Sequence, residues 1–475
     1  MSAPPKYSAD YYRAEPLDVD EPAHPRSGEH LTELGLAERL VAKHGKDLRF
    51  CSSLGWLIWR GKLWQVDDTG EIFRRAKKTI RDVLREAARI EDADERRKLA
   101  SFALKSETAA HITNLIRLAE SEPPIPVRAS DLDTSPDLLN LDNGVLDLRT
   151  AQLRAHCRED LLTKMSPVAY DIGAKCPTFD RFLERVLPSE SLRLFAQRAV
   201  GYAATGHIRE HVLHVLWGNG ANGKSTFLSA ILDALGDYAM VAPPRLLMLR
   251  RHEPHPAELA DLFGRRFVAC LESGQGSRLD EEMVKRLTGG DHVKARFMRQ
   301  NFFEFAPTHK LFVATNHRPR IRGTDSGIWR RVRLWPFNVQ IPAHEQDTEL
   351  PEKLRRERAG ILRWIVEGTM AWRRSGLNEP PEVIAATETY RNDSDVMAGF
   401  VSECCLTGDA HRADGVELWD TFTRWAERSG ERDRPSKREF REALVEHGFA
   451  PLPEKHPRTR RVMYHGIGLL DEACG

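Results

Sequence analysis

No stretch of about 18 consecutive apolar residues, the length that would carry a helix across a bilayer, occurs anywhere in the sequence. The opening segment, Met1 to Arg26, is polar and proline-rich and has no apolar signal region, so it reads as a disordered lead-in. Cysteine is sparse and unpatterned. There are seven, an odd number, with no Cys-x-x-Cys pair, and nothing completes a zinc-ligand spacing around the adjacent Cys404 and Cys405. These thiols are expected to be buried or incidental, which fits a reducing cytoplasm. Net charge is also nearly absent, at +1, so any nucleic-acid partner would have to be met by local basic patches. No internal repeat is found.

What remains is an ordinary globular composition, 41% hydrophobic and 30% charged. A chain of 475 residues is too long for one core and implies two to four domains. A helical pattern runs from Leu31 to His44, followed by an aromatic strand pair, Trp56 to Trp64, around a turn at Arg60-Gly61-Lys62. Packing in a small sheet is the favoured role for these tryptophans, with stacking on bases as the alternative. A long charged helical stretch spans Glu71 to Glu120 and is broken by Glu122-Pro-Pro-Ile-Pro126. Two short strands follow around the Asn143-Gly144 turn. From about His207 to Pro342 strands and helices alternate as in an α/β domain. Further helix is expected from about Leu350 to Ser375, then a small, basic, mostly helical tail ending in a hairpin.

Chemistry concentrates at Gly218, Asn219, Gly220, Ala221, Asn222, Gly223, Lys224 and Ser225, a complete G-x-x-x-x-G-K-[ST] followed by Thr226. An apolar run, His211 to Trp217, precedes it, and Phe227, Leu228, Ile231, Leu232 and Leu235 recur behind it at helical spacing. Strand, glycine loop and helix are what phosphate binding requires: backbone N–H groups curl around phosphate oxygens and the helix N-terminus adds its dipole. Lys224 is expected to reach the β and γ phosphates of ATP, and Ser225 to ligate Mg²⁺. Glu272, at the end of the apolar run Arg266 to Leu271, is the candidate carboxylate for the metal's water shell and the attacking water. Asn316, after the strand Lys310 to Thr315, is the candidate to orient that water. Arg330 and Arg331, behind Trp329, are candidates for an arginine given to a neighbouring subunit's transition state, and the sequence does not choose between them.

These pieces, in this order, resemble the superfamily 3 helicases of the phage/plasmid primase type, including the poxvirus-like primase-helicases. Gly218 to Thr226 is similar to that family's P-loop, Lys285-Arg-Leu-Thr-Gly-Gly-Asp291 to its additional motif, Ala314 to Pro319 to its sensor, and Asp325 to Val332 to its arginine-finger segment. The Trp56–Trp64 and Asn143–Leu148 elements resemble the domain preceding such helicases, and Trp425–Gly430 with Phe440–Leu444 resemble its winged-helix tail. The resemblance implies a lead-in at 1–30, an α+β associated domain at 31–188, an AAA+-like parallel-sheet ATPase at 189–375 and a winged-helix-like DNA-binding domain at 376–475. It also implies a homo-oligomeric ring, usually a hexamer, that uses ATP and Mg²⁺ to translocate on single-stranded or forked DNA. A phage or plasmid origin would place it in a bacterial cytoplasm, without membrane contact and with a separate primase or polymerase as an open partner.

Two departures accompany the resemblance. Glu272 is followed by Ser273, where the superfamily usually has two adjacent carboxylates. The sequence before Leu31 is too short for the primase domain many relatives carry, and Asp131-Leu-Asp133 reads as a linker rather than a metal-binding pair.

For DNA contact, Asp291 to Phe305 reads as a β-hairpin, with Val293, Phe302, Phe303 and Phe305 flanking the polar turn Arg299-Gln-Asn301. In the family such a hairpin faces the ring channel, which makes Lys294, Arg296 and Arg299 the candidate phosphate contacts. Lys285 faces either nucleotide or DNA. The basic runs Arg432–Arg441 and Lys455–Arg461 are either DNA contacts or solvated faces. Three functions are therefore weighed: a replicative helicase, an origin-binding initiator or loader that uses ATP as an assembly switch, and a non-enzymatic DNA-binding scaffold.

Overall fold

The computed structural model describes residues 30–250, 255–271, 276–298, 300–321, 326–429, 434–453 and 461–470; Glu272, Arg299, Asp325 and the segment 454–460 lie outside the described residues. The chain divides into two compact units, one comprising residues up to Arg60 and Trp64–Arg128, the other Gly61–Leu63 and Ala129 onward. Among the described residues no helix is long and apolar enough to cross a membrane.

In the first unit, helix α1 (Glu33–His44) starts at Thr32, whose hydroxyl accepts from the Gly35 N–H at 3.1 Å. Strands β1 (Leu48–Cys51), β2 (Gly55–Trp59) and β3 (Trp64–Val66) form an antiparallel sheet. Trp59 pairs with Trp64 across the expected turn, where Gly61 takes φ 87°, a conformation glycine adopts without strain. Trp64 is fully buried and Trp56 packs on the helical core, so packing is what these rings do here. The charged stretch is three helices, α2 (Glu71–Ala87), α3 (Ala93–Lys105) and α4 (Ala109–Ala119). Local capping interrupts it: Asp92 accepts from the Glu95 N–H at 2.7 Å and Thr108 from the His111 N–H at 3.4 Å. Ile72, Ile80 and Val83 of α2 share a core with Leu36 and Leu40 of α1 and Leu115 of α4.

The second unit opens with β4 (Leu138–Leu141), β5 (Gly144–Asp147) and β6 (Gln152–Arg154), an antiparallel sheet. Leu139, Leu141, Leu146 and Leu148 share one core with helices α5 (Pro177–Val186), α6 (Glu190–Ala204) and α7 (Lys224–Leu235). The span expected as one domain, 31–188, is therefore divided by packing, because its part from Ala129 onward buries its leucines in the second unit.

The central sheet holds β7 (Leu213–Trp217), β8 (Ala239–Ala242) and β9 (Phe267–Leu271). A small hairpin, β10 (Val293–Ala295) with β11 (Phe303–Phe305), precedes its last strands, β12 (Lys310–Thr315) and β13 (Val332–Pro336). The order is β13-β7-β12-β9-β8 and every pairing is parallel. Apolar runs such as Phe267–Cys270 and Leu311–Ala314 are buried along their length, as strands covered on both faces must be. This is the expected P-loop NTPase sheet, with an α+β region ahead of it.

Helices α8 (Pro256–Ala260), α9 (Glu281–Gly289) and α10 (Ser326–Trp329) lie in the connections, and α11 (Leu350–Arg356) and α12 (Arg358–Ser375) supply the expected helical stretch. Close contact between α12 and α6 is made by small residues: a Cβ on Gly201 would lie 2.1 Å from the Gly368 backbone. Helix α13 (Pro381–Ser394) packs on β13 and so belongs with the central sheet. The tail is α14 (Val396–Cys404), β14 (Cys405–Asp414), α15 (Gly415–Arg428), α16 (Lys437–Glu446) and β15 (Met463–Leu469), around its own core of Phe400, Leu418, Phe422, Phe440, Leu444 and Ile467. β15 pairs antiparallel with β14, and Pro451 bridges to Tyr464.

A buried cation links β9 to the antiparallel sheet. The Arg266 guanidinium, 2% exposed, donates to the carbonyls of Ala204 at 2.8 Å, Leu138 at 2.9 Å and Ser135 at 3.2 Å and stacks 4.5 Å from the Tyr238 ring. Arg266→Met leaves one buried and two part-buried acceptors without their donor, and a loss of about 3 kcal/mol is expected, read as a lower urea midpoint for the second unit.

Candidate functional site

Strand β7 delivers the chain into a loop that only particular residues can form. A Cβ at Gly218 would meet the Phe337 carbonyl oxygen at 2.2 Å, and Gly220, Ala221 and Gly223 take φ of 41°, 48° and 83°. The loop is anchored outside itself: the Asn222 side-chain amide donates to the Phe337 carbonyl at 3.2 Å, and the Ile341 N–H to the Ala221 carbonyl at 2.7 Å. α7 begins at Lys224, so the N–H groups of its first turn have no acceptor within the helix. They border a cavity of about 230 Å³ lined by Gly220 to Thr226 and by Ala314, Thr315 and Asn316.

Lys224 is 5% exposed, and its ammonium donates to the Gly218 carbonyl at 2.7 Å, the Asn222 side-chain oxygen at 2.8 Å and the Asn316 side-chain oxygen at 3.0 Å. The same Asn316 oxygen accepts from the Gly220 N–H at 3.3 Å. A local turn presents Asn316 there: Thr315 Oγ1 donates to the His317 carbonyl at 2.6 Å and accepts from the His317 N–H at 3.1 Å. Lysine, loop and the Asn316 amide thus form one constellation at the carboxyl edge of the sheet, where ligands of open α/β sheets bind. Ser225 is exposed at this cavity. Glu272 lies outside the described residues; the strand before it ends at Leu271, paired with Ala314.

Arg330 and Arg331 lie elsewhere. β13 runs parallel to β7, with Val332 beside Leu213 and Pro336 beside Trp217. The arginines therefore precede the amino end of β13 while the P-loop follows the carboxyl end of β7, about 16 Å away along the strands. The two differ in environment. Arg331 is turned inward, its Nε donating to Thr288 Oγ1 at 3.2 Å and its NH1 to the Gly327 carbonyl at 2.5 Å. Arg330 is exposed, and among the described residues its side chain makes no hydrogen bond or ion pair. Thr288, in the Lys285–Asp291 motif, also meets His211 Nδ1 through its carbonyl at 2.8 Å, so this motif braces the amino edge of the sheet.

In the β10–β11 hairpin, Val293, Ala295, Phe303 and Phe305 face inward, with Phe263 edge-on to the last two. Lys294 stands opposite Glu304 on the outer face. Phe302, expected among the flanking apolar residues, is 51% exposed, with the Lys294 ammonium 5.4 Å and the Arg296 guanidinium 4.6 Å from its ring. The strand alternation carried this signal, since Phe303 and Phe305 facing in put Phe302 and Glu304 out.

Family models match two parts of the chain: one described as "D5 N terminal like" over residues 37–188, and one described as a family of unknown function (DUF5906) over residues 216–331. Among curated proteins the chain is similar to "Putative helicase L207/L206" of Acanthamoeba polyphaga mimivirus, 28% identical over 62% of this chain and 33% of that protein. It is similar also to "Putative helicase 121R" of Invertebrate iridescent virus 3, 26% identical over 62% and 35%. "Putative primase C962R" of African swine fever virus (strain Badajoz 1971 Vero-adapted) is 25% identical over 57% and 31%. The chain is thus similar, in two separate parts, to viral proteins named putative helicases and primases. It spans about a third of the length of the curated relatives it matches. A solved structure, "The A form apo structure of NrS-1 C terminal region-CTR", aligns at TM-score 0.47 and 11% identity over 92% of this chain and 100% of that one.

One further residue at this site carries no sequence signature. The Arg318 guanidinium lies 4.9 Å from the Trp217 ring and 5.4 Å from the Tyr390 ring, and bonds Asp393 at 2.8 Å. Trp217 is the last residue before the P-loop and Arg318 follows Asn316 by two, so Arg318 ties the turn after β12 to α13. The tail also differs from a plain basic reader. α16 carries Lys437, Arg438 and Arg441 on one flank, but Glu439, Glu442 and Glu446 on the other line a cleft of about 460 Å³ together with Asp280, Glu281 and Glu282.

Proposed function

We propose that this chain is the ATP-hydrolysing motor of a replication helicase, acting as a ring of copies on single-stranded or forked DNA. The observation that carries the reading is the P-loop constellation, in which Lys224 and Asn316 converge on the cradle formed by α7 and its glycine loop. ATP fits the donor set. Gly220 to Thr226 would hold its phosphates with backbone N–H groups, Lys224 would neutralise the β and γ oxygens, and Ser225 with Glu272 would hold Mg²⁺. When bound, the ion would supply charge neutralisation for the phosphates. Asn316 and Glu272 would orient and polarise a water whose oxygen bonds to the γ-phosphorus as the bond to the β–γ bridging oxygen breaks, leaving ADP and phosphate.

Arg330, rather than Arg331, is the proposed finger. Its exposure, and the strand length separating it from its own P-loop, favour delivery to a neighbouring copy. Arg331 is a positioning residue that holds this segment against Thr288.

The hairpin is the proposed grip on single-stranded DNA, with Lys294, Arg296 and Arg299 on phosphates and Phe302 under a base. Phe302→Ala is expected to weaken single-strand binding by about 1–3 kcal/mol, five- to 150-fold, without altering its salt dependence. The double change Lys294→Ala, Arg296→Ala is expected to flatten the slope of log Kobs against log[salt] by about one to two. Fluorescence anisotropy over a salt series reads both.

Strand displacement from a forked duplex tests the reading as a whole. ATP-dependent release of the strand, lost in Lys224→Ala, is the expected result. Hydrolysis without release would sink the motor and leave ATP as an assembly switch.

A further inference from the structure

Helix α2 of the first unit takes no part in the site above, yet it has a pronounced division of charge. Its buried face is Ile72, Ala76, Thr79, Ile80, Val83 and Ala87. The opposite face carries Arg74, Lys77, Lys78, Arg81 and Arg85, all exposed, with the exposed Arg89 just beyond the helix end. At the helical rise these five positions span about 17 Å.

The acidic residues of α2 do not intersperse with that row. Asp82 is bound by Lys43 of α1 as well as by Arg85, and Glu86 by Arg39 of α1, so both lean towards the neighbouring helix. Glu71, at the amino end, is held by Arg74 and Arg75. Ordinary solvated faces mix signs; here α1 supplies cations to Asp82 and Glu86, and although Arg74, Arg85 and Arg81 pair with Glu71, Asp82 and, at 3.8 Å, Glu107, the outer row keeps an excess of positive charge. Lys77 and Lys78 make no ion pair among the described residues. Burial, with Arg75, Lys43 and Lys78 nearby, pushes the His44 imidazole down to about 4, consistent with a positive local field.

We propose that this face of α2 is a second nucleic-acid contact, a track for the phosphate backbone of duplex DNA, separate from the hairpin. Several features select the duplex. The cations lie on a straight, rigid helix, and a duplex offers a rigid row of phosphates, with one charge per about 1.7 Å of its axis. Non-specific single-strand grips combine charge with aromatic stacking platforms, and the only exposed ring on this helix is Phe73, at its amino end. Contacts of this sort set position on the duplex and read no sequence. The inference rests on the reading that the partner is DNA.

The test uses the full chain with the triple change Lys77→Ala, Lys78→Ala, Arg81→Ala. Alanine is the strongest helix former, so α2 should persist, and an unchanged far-ultraviolet circular dichroism spectrum and melting temperature verify it. Anisotropy with a blunt duplex and with a poly-dT strand, over a salt series, reads the result. Duplex affinity is expected to fall at least tenfold with the salt slope flattened by about two to three, while poly-dT affinity and DNA-free ATP hydrolysis stay the same. An unchanged duplex affinity and slope in the folded variant overturns the proposal, as does failure of the unaltered chain to bind duplex. Stronger capture of the unaltered chain by phosphatidylserine vesicles than by duplex, lost in the variant, also overturns it.

The motor reading is judged separately. Loss of poly-dT binding by the Lys294, Arg296 pair with duplex binding intact in the α2 variant removes the track and leaves the motor. Loss of duplex binding in the α2 variant without any strand displacement by the unaltered chain keeps the track and removes the motor.

Discussion

Lys224→Ala is expected to lower ATP turnover by about a hundredfold to a thousandfold, the usual penalty for removing one preorganised donor to developing phosphate charge. The ammonium is held inside the cradle by three neutral oxygens, from Gly218, Asn222 and Asn316. These acceptors hold the ammonium within the loop that would receive phosphate. The same geometry predicts that the variant folds, because two of the acceptors it abandons, the Asn222 and Asn316 side chains, belong to residues lining an open cavity. Phosphate release and fluorescent-nucleotide binding are the two readouts. Turnover that survives the substitution would mean that ATP is hydrolysed somewhere other than at this loop.

The adjacent arginines should separate sharply. Arg330→Ala is expected to leave folding and nucleotide binding intact, since the side chain is exposed and unbonded among the described residues. Turnover should nevertheless fall by about a thousandfold or more, the scale of a lost arginine finger. Arg330→Lys should not restore it, because an ammonium cannot make the planar two-point contact of a guanidinium. Arg331→Ala should act differently. It removes the bonds to Thr288 and Gly327, which predicts a stability loss of about 1–2 kcal/mol and a lower melting temperature, with a smaller fall in turnover. The reverse pattern, a silent Arg330 and an inactive but stable Arg331 variant, would assign the finger to the inward residue.

The strand, glycine loop and helix were legible because their requirements are local. A buried strand, positive-φ glycines and an amphipathic helix lie consecutively, so the pattern around Gly218 to Leu235 contained both the loop and its orientation. The position of Asn316 beside Lys224 followed less directly. It depends on β12 inserting between β7 and β9, which a parallel sheet permits and the residues near Asn316 do not state. The division near Arg128 was hidden for a similar reason. The proline-rich break at 122–126 is visible, but which core receives Leu139, Leu141, Leu146 and Leu148 is decided by long-range packing. The family model over residues 37–188 follows the expected span across this division, so the unit of sequence likeness and the unit of packing differ. Helix α13 joined the central sheet for the same reason: Thr387 Oγ1 accepts from the Leu334 N–H at 3.0 Å, a contact without a sequence signature. The two faces of α16 were readable from helical spacing, but that the glutamate flank borders a cleft shared with Asp280 to Glu282 was not.

The choice between Arg330 and Arg331 sharpens the central claim, which is that one copy of this chain does not complete its own ATPase site. Mixing two inactive variants tests this most directly. Lys224→Ala keeps its arginine and lacks its lysine; Arg330→Ala keeps its lysine and lacks the arginine it would lend. Where such copies are neighbours, an intact P-loop of the second meets an intact Arg330 of the first. Equimolar mixing is therefore expected to recover ATP hydrolysis well above the sum of the separate variants, in proportion to the mixed contacts formed. No recovery, in a mixture shown by cross-linking to have co-assembled, would contradict a site shared between copies.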